Sequence, residues 1–101
     1  VVLLIDHQTL SSGEAFAVAL ADSDRAYVIG QRTAGATGNP VPFRLQGGRA
    51  RYSTGDFQRN DGSQLEEAGV APDLTVTWTR EDFVAGIDPD IDAAEAYLLS
   101  Q

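Results

Sequence analysis

The stretch Thr9-Leu10-Ser11-Ser12-Gly13-Glu14 lies between an apolar, β-branched run, Val1 to Ile5, and an alanine-rich segment, Ala15 to Ala21. A second apolar run, Ala26 to Ile29, follows the polar break Asp22-Ser23-Asp24-Arg25. This order leaves few folds open. A short apolar run without polar alternation is the pattern of a strand covered on both faces of a parallel sheet, and two parallel strands need a crossover between them. Ser11 with Glu14 three residues on fits a capping box, which marks a helix start. The spacing predicts a right-handed βαβ unit, its helix carrying Phe16, Ala19 and Leu20 as an apolar stripe flanked by Ala15 and Val18.

Past the second strand the pattern changes twice. Gly30 to Pro40 is a glycine-rich loop, at the same sheet edge as Ser11, and a loop of this length in so small a domain is more often a site wall than a plain connection. Val41, Phe43 and Leu45 then alternate with Pro42, Arg44 and Gln46, Gly47-Gly48 signals a tight turn, and Arg49 to Thr54 returns. That is an antiparallel hairpin. Its segment Val41 to Leu45 offers an edge for an extended peptide by strand addition. Arg59 to Gly62 marks another turn, and Glu66 to Asp73 leads into a last strand, Leu74 to Trp78. A short helix capped by Thr79 or Asp82 stops at Gly86. Asp88-Pro89 opens a final helix with Ile91, Ala94, Tyr97 and Leu98 inward.

Composition excludes several functions. With 7 basic and 15 acidic residues the formal charge is -8, so a phosphate backbone is repelled and nucleic acid is not expected as a partner. No apolar run reaches the ~20 residues of a membrane span. There is no cysteine, and every basic side chain is arginine, which removes thiolate metal sites and any serine-lysine dyad within these residues. The sole imidazole is His7. Asp88-Pro89-Asp90-Ile91-Asp92 invites a calcium reading, but Ala93 stands where the calcium loop needs glycine, so this is a helix cap with an acidic first turn. The glycine-rich loop has no Walker lysine and is not a phosphate loop. No cofactor is called for.

Ser11 is either an ordinary helix cap, contributing about 1 kcal/mol, or a nucleophile at a strand-to-helix turn, where its oxygen is exposed and backbone amides point at a developing oxyanion. For Glu66 the alternatives are a solvated carboxylate and a member of a site. Arg32 suits either a salt bridge with a nearby acid or a substrate carboxylate.

Four segments in register, Leu4-Ile5-Asp6, Thr9 to Glu14, Gly30 to Gly35 and Gly69-Val70-Ala71-Pro72-Asp73, resemble the carboxyl-terminal processing, or tail-specific, serine peptidase family. Thr79 to Pro89 resembles that family's last helices. The resemblance implies an α/β fold of the crotonase and Clp-protease kind, in which strands and helices wind as a spiral. It implies Ser11 as nucleophile and the Ser12 N–H as one oxyanion donor, with the loop of Thr33 and Gly35 as substrate-site wall. Where the dyad members carry lysine, the matching residue is Ala36. The chain therefore resembles the branch of the tricorn protease core and the interphotoreceptor retinoid-binding protein, in which the base is a histidine on an earlier segment and a glutamate, here Glu66, completes the set. His7 falls where the family mostly has a small residue, and lines the surface or a subsite.

The resemblance thus implies that residues 1–101 are the carboxyl-terminal part of a catalytic domain that needs its own upstream half and acts on a polypeptide. It also implies an extracytoplasmic enzyme, although tricorn-like members are cytosolic. The retinoid-binding relatives hold apolar ligands on the same fold, which leaves a non-catalytic binding module as the alternative.

Overall fold

The computed structural model describes residues 1–55 and 57–101. In chain order the elements are β1 (Val2–Ile5), α1 (Ser12–Ala21), β2 (Tyr27–Gly30), β3 (Pro40–Leu45), β4 (Gly48–Ser53), β5 (Leu74–Thr75), α2 (Arg80–Ala85) and α3 (Pro89–Leu99). β1, β2 and β5 form a parallel sheet in that order, and β3 pairs with β4 in a separate antiparallel hairpin. The expected βαβ unit is β1-α1-β2, with Val2 opposite Tyr27 and Ile5 opposite Gly30.

One face of this sheet is packed and the other is partly covered, Leu4 remaining 42% exposed. On one face Leu3, Ile5 and Val28 pack with Ala17, Val18 and Ala21 of α1 and with Leu65 and Val70 from the later loops. On the other, Tyr27 stacks on Tyr97 of α3, ring centroids 4.1 Å apart and planes within 2°. Ile29, Leu65, Val28 and Val70 are fully buried, and each such side chain contributes about 1.5–3 kcal/mol by leaving water. Gly30 closes β2 at φ 126, and a Cβ there would lie 2.0 Å from the Ile5 carbonyl oxygen. Only glycine lets the two strand ends meet.

The apolar stripe expected on α1 is rotated. Its buried residues are Glu14, Ala17 and Val18, while Phe16 is 58% exposed. The cause is Glu14: once its carboxylate is drawn inward by the loop, residues three, four and seven further on share its face, and these are Ala17, Val18 and Ala21. Small side chains then set the distance between helix and sheet.

The hairpin turns on Gln46-Gly47, with Gly47 at φ 86 and Leu45 opposite Gly48, one residue earlier than the Gly-Gly pair suggested. Phe43 and Tyr52 pack edge to face across it. Two of the three even-numbered residues of β3, Pro40 and Pro42, have no N–H. Because the pairing to β4 runs unbroken from Pro40 to Leu45, the missing donors fall on the outer edge. An extended peptide laid there would find Arg44 as its one donor at these positions, so the edge is poorly suited to strand addition.

The last strand is shorter than Leu74 to Trp78. β2 ends at Gly30, so after Leu74 and Thr75 only the Val76 N–H still finds an acceptor on it, the Gly30 oxygen at 2.9 Å. Asp73 opens β5 by accepting from the Val28 N–H through Oδ2 at 2.8 Å and donating its own N–H to the Val28 oxygen at 2.8 Å. Thr79 caps α2, accepting from Asp82 N–H, and Gly86 ends it at φ 69. Asp88 caps α3, accepting from the Asp90 and Ile91 amides at 3.1 and 3.2 Å. Ala94 and Tyr97 are half-buried as expected, but Ile91 and Leu98 are about half exposed. No helix among the described residues is long and apolar enough to cross a membrane.

Candidate active site

The segment between β1 and α1 is locked before it reaches Ser11. Asp6 Oδ1 accepts from the Gln8 and Thr9 amides at 2.9 and 3.0 Å, and the Asp6 N–H donates to Thr9 Oγ1 at 3.1 Å. The Thr9 oxygen in turn accepts from the Ala34 N–H at 3.0 Å. The turn is thereby tied to the glycine-rich loop.

Ser11 then adopts φ 52, ψ -118. A helix cap ordinarily has extended backbone, and this conformation costs an L-residue about 1–3 kcal/mol. The Ser11 hydroxyl lies in capping-box geometry over the Glu14 amide without making a side-chain cap hydrogen bond; that amide donates instead to the Ser11 carbonyl oxygen at 3.0 Å. Ser12 is the first residue of α1, where an N–H has no intrahelical acceptor, and it donates no hydrogen bond among the described residues. A half-exposed hydroxyl thus stands beside an uncommitted amide at the positive end of a helix.

Glu14 holds this arrangement from below. It is 0% exposed. Its Oε2 accepts from the Ser11 and Ala36 amides at 3.0 and 2.9 Å. Its Oε1 accepts from Thr33 Oγ1 and the Gly35 amide at 2.6 and 2.7 Å. Burial pushes its carboxyl up, but the hydrogen bonds from Thr33, Ala36, Gly35 and Ser11 outweigh this and hold it below the ordinary 4.5. A carboxylate accepting several N–H and O–H bonds is stabilised in its charged form.

Residues 31–39 contain no helix or strand, yet the loop is held along its length. Thr33 N–H donates to the Val70 oxygen, and the Val70 N–H donates back to Thr33 Oγ1 at 2.7 Å. The Gly35 oxygen accepts from Glu67 N–H at 2.7 Å and the Ala36 oxygen from Ser11 N–H at 3.0 Å. Gly35 and Gly69 have φ 68 and 65, and their added Cβ atoms would lie 2.8 Å from the Glu67 carbonyl carbon and 2.6 Å from the Thr33 oxygen. Two loops interlock here through backbone contact. Thr33 and Gly35, expected as substrate-site wall, are both buried, with these polar groups bound to protein.

Glu66 meets the same loop one residue further on. Its Oε2 accepts from both the N–H and, at 3.0 Å, the hydroxyl of Thr37. Ser11 and Glu66 therefore grip adjacent residues, Ala36 and Thr37, of one strap. The Leu65–Gly69 turn carrying Glu66 is fixed by Ala68 and Gly69 amides donating to the Leu65 oxygen. Nearby, Arg59 pairs with Asp22 at the end of α1.

The other candidates fall elsewhere. His7 is exposed and lines a cavity of about 370 Å³ with Gln31, Trp78, Phe83 and Asp90. Arg32 donates to the Ala68 carbonyl oxygen at 2.9 Å rather than to an acid. Among the described residues, no group of three His, Cys, Asp or Glu could hold a metal ion. The Thr33 bridge and the Thr37 clamp were missed in sequence, because both join segments about 30 residues apart or more and carry no local signal.

A serine in a high-energy turn between a parallel strand and a helix, with an uncommitted amide beside it, is an arrangement able to support acyl transfer. Residues 1–76 match the family model described as Peptidase family S41, and the chain belongs to that family. It superposes on the tricorn protease with a TM-score of 0.85 at 26% identity, over 96% of this chain and 10% of that one. With the photosystem II D1 C-terminal processing protease the TM-score is 0.62 at 30% identity, over 74% of this chain and 20% of that one. A protein of Chlamydia trachomatis is 35% identical over 88 residues, which is 81% of this chain and 14% of the relative. The chain thus spans a fifth or less of the length of each of these proteins.

Proposed function

We propose that residues 1–101 form the carboxyl-terminal part of the catalytic domain of a serine endopeptidase, wound in its full length as a crotonase-like spiral. Ser11 is the nucleophile, the Ser12 N–H is one oxyanion donor, and Glu66 completes the catalytic set from across the loop. The base is a histidine on an upstream segment, since Ala36 fills the position of the lysine in serine-lysine members and the chain has no lysine.

In this reading the histidine takes the proton as Ser11 Oγ attacks a peptide carbonyl. The carbonyl oxygen gains its negative charge against the Ser12 N–H and the helix end. Collapse releases the amine, with the proton returned to it, and leaves an acyl-enzyme that water hydrolyses. The observation that carries the proposal is the Ser11 backbone at φ 52, ψ -118. Strain of this kind at a turn presents a side chain outward, and a plain cap has no use for it. Following the family resemblance, we place the enzyme outside the cytoplasm.

The test is hydrolysis of unfolded polypeptide by the full-length protein. Ser11→Ala should lower kcat by at least about 1,000-fold and leave binding intact. Turnover unchanged by that substitution would remove Ser11 from the mechanism, and binding of an apolar ligand without turnover would favour the module reading.

A further inference from the structure

We infer that Glu14 is the positioning residue of this site: a buried carboxylate that fixes the Ser11 backbone and the loop reaching Glu66 in one arrangement. The inference rests on the reading of Ser11 as nucleophile and extends it to a residue that does not touch substrate.

Four donors converge on Glu14 from two directions. Ser11 and Ala36 amides reach Oε2, while Thr33 hydroxyl and Gly35 amide reach Oε1. The side chain is fully buried, so water does not substitute for any of them. Only an acceptor at both ends satisfies such a set, and an ionised carboxylate is the one side chain that offers it. Glutamine has the same shape but carries an NH2 at one end, which would face the Ser11 and Ala36 amides in one orientation and the Gly35 amide beside the Thr33 hydroxyl in the other, so at least one backbone amide loses its acceptor either way. Buried donors left without acceptors are costly, and the segment would move to relieve them.

What moves is the nucleophile. The strained Ser11 conformation is opposed by its own torsional energy, and the bonds on its N–H come from Glu14 Oε2 and the Ala36 oxygen. Ala36 is itself held by Glu14 through its amide. The loop's next residue, Thr37, donates its N–H and hydroxyl to Glu66 Oε2. A second path runs from Glu14 through Thr33 Oγ1 to the Val70 N–H, four residues past Glu66. Glu14 therefore holds both ends of the spacing between Ser11 and Glu66. Displacement of a reacting group by about 1 Å costs on the order of 100-fold in rate.

The experiment compares full-length wild type with Glu14→Gln, Thr33→Val and Thr33→Ser by steady-state peptide hydrolysis, with rates taken per folded molecule well below each melting temperature. Ser11→Ala serves as the blank. Glu14→Gln should lose about 100-fold in kcat with KM held within a factor of two to three. Thr33→Val, which removes one donor and the relay, should lose kcat in the same sense, and Thr33→Ser should restore it. Should Glu14→Gln fail to fold, the Thr33 pair decides. Wild-type kcat in folded Glu14→Gln, or in Thr33→Val if Glu14→Gln does not fold, overturns the inference and leaves Ser11 as nucleophile. A wild type that turns over no faster than Ser11→Ala overturns the reading of Ser11 and the inference with it.

Discussion

Replacing Ser11 by glycine separates the two roles a serine can have at a helix start. In an ordinary cap, Ser→Gly costs a few tenths of a kcal/mol and Ser→Ala about 1 kcal/mol, so the wild type is the most stable of the three. Here the hydroxyl makes no cap hydrogen bond, and the backbone sits at φ 52, ψ -118. Glycine visits such conformations freely, so Ser11→Gly releases about 1–3 kcal/mol of strain. The greater freedom of glycine in the unfolded chain takes back about 0.4–1 kcal/mol. The net is a stabilisation over wild type of up to about 2.5 kcal/mol, centred on about 1 kcal/mol, accompanied by loss of all activity. Ser11→Ala keeps the strain and gains nothing. Urea melts of the full-length proteins, followed by fluorescence, give the order directly. If Ser11→Gly melts at or below the wild-type midpoint, the turn is not strained and the nucleophile reading loses its main support.

Further tests address the scaffold. Gly69→Ala should destabilise by about 2–4 kcal/mol, since its φ is 65 and the new Cβ would lie 2.6 Å from the Thr33 oxygen; thermal melts check this, and a neutral result would mean the two loops do not interlock. Because the Glu14 carboxyl is held below 4.5 in the fold, its contribution is present above that value and is lost as pH falls through the folded value. Urea midpoints should therefore drop on acidification below 4.5 in wild type and drop less in Glu14→Gln; parallel curves would contradict the assignment. Arg59→Ala breaks the pair with Asp22, which is partly open to solvent, and should cost no more than about 1 kcal/mol with catalysis unchanged. The isolated chain of residues 1–101 should show no peptidase activity if the base is the proposed upstream histidine, and measurable turnover would refute that assignment.

The sequence shows the βαβ unit, the hairpin and both C-terminal caps, because each rests on local signals: unbroken apolar runs, alternation, and Thr79, Asp88 and Gly86 at helix ends. The rotation of α1 was hidden. Hydrophobicity placed Phe16 inward, whereas the buried residue that sets the helix's orientation is a charged one, and its partners are 19 to 22 residues away. The same holds for the site. Ser11 and Glu66 are candidates by resemblance, and Glu14 stands out by its capping box. The strap through Thr33, Ala36 and Thr37 that joins them exists only once the loop folds back. The edge of β3 gives the opposite lesson: its prolines were in plain view, and alternation alone concealed that they remove the donors a peptide would need.

The most direct test of the central claim is the position of a covalent adduct. Full-length protein treated with a fluorophosphonate should gain one phosphonyl group, and fragmentation should place it on Ser11 in the peptide spanning residues 9–14, with no labelling in Ser11→Ala. An adduct on Ser12 or any other residue, or labelling that persists in Ser11→Ala, would contradict the account.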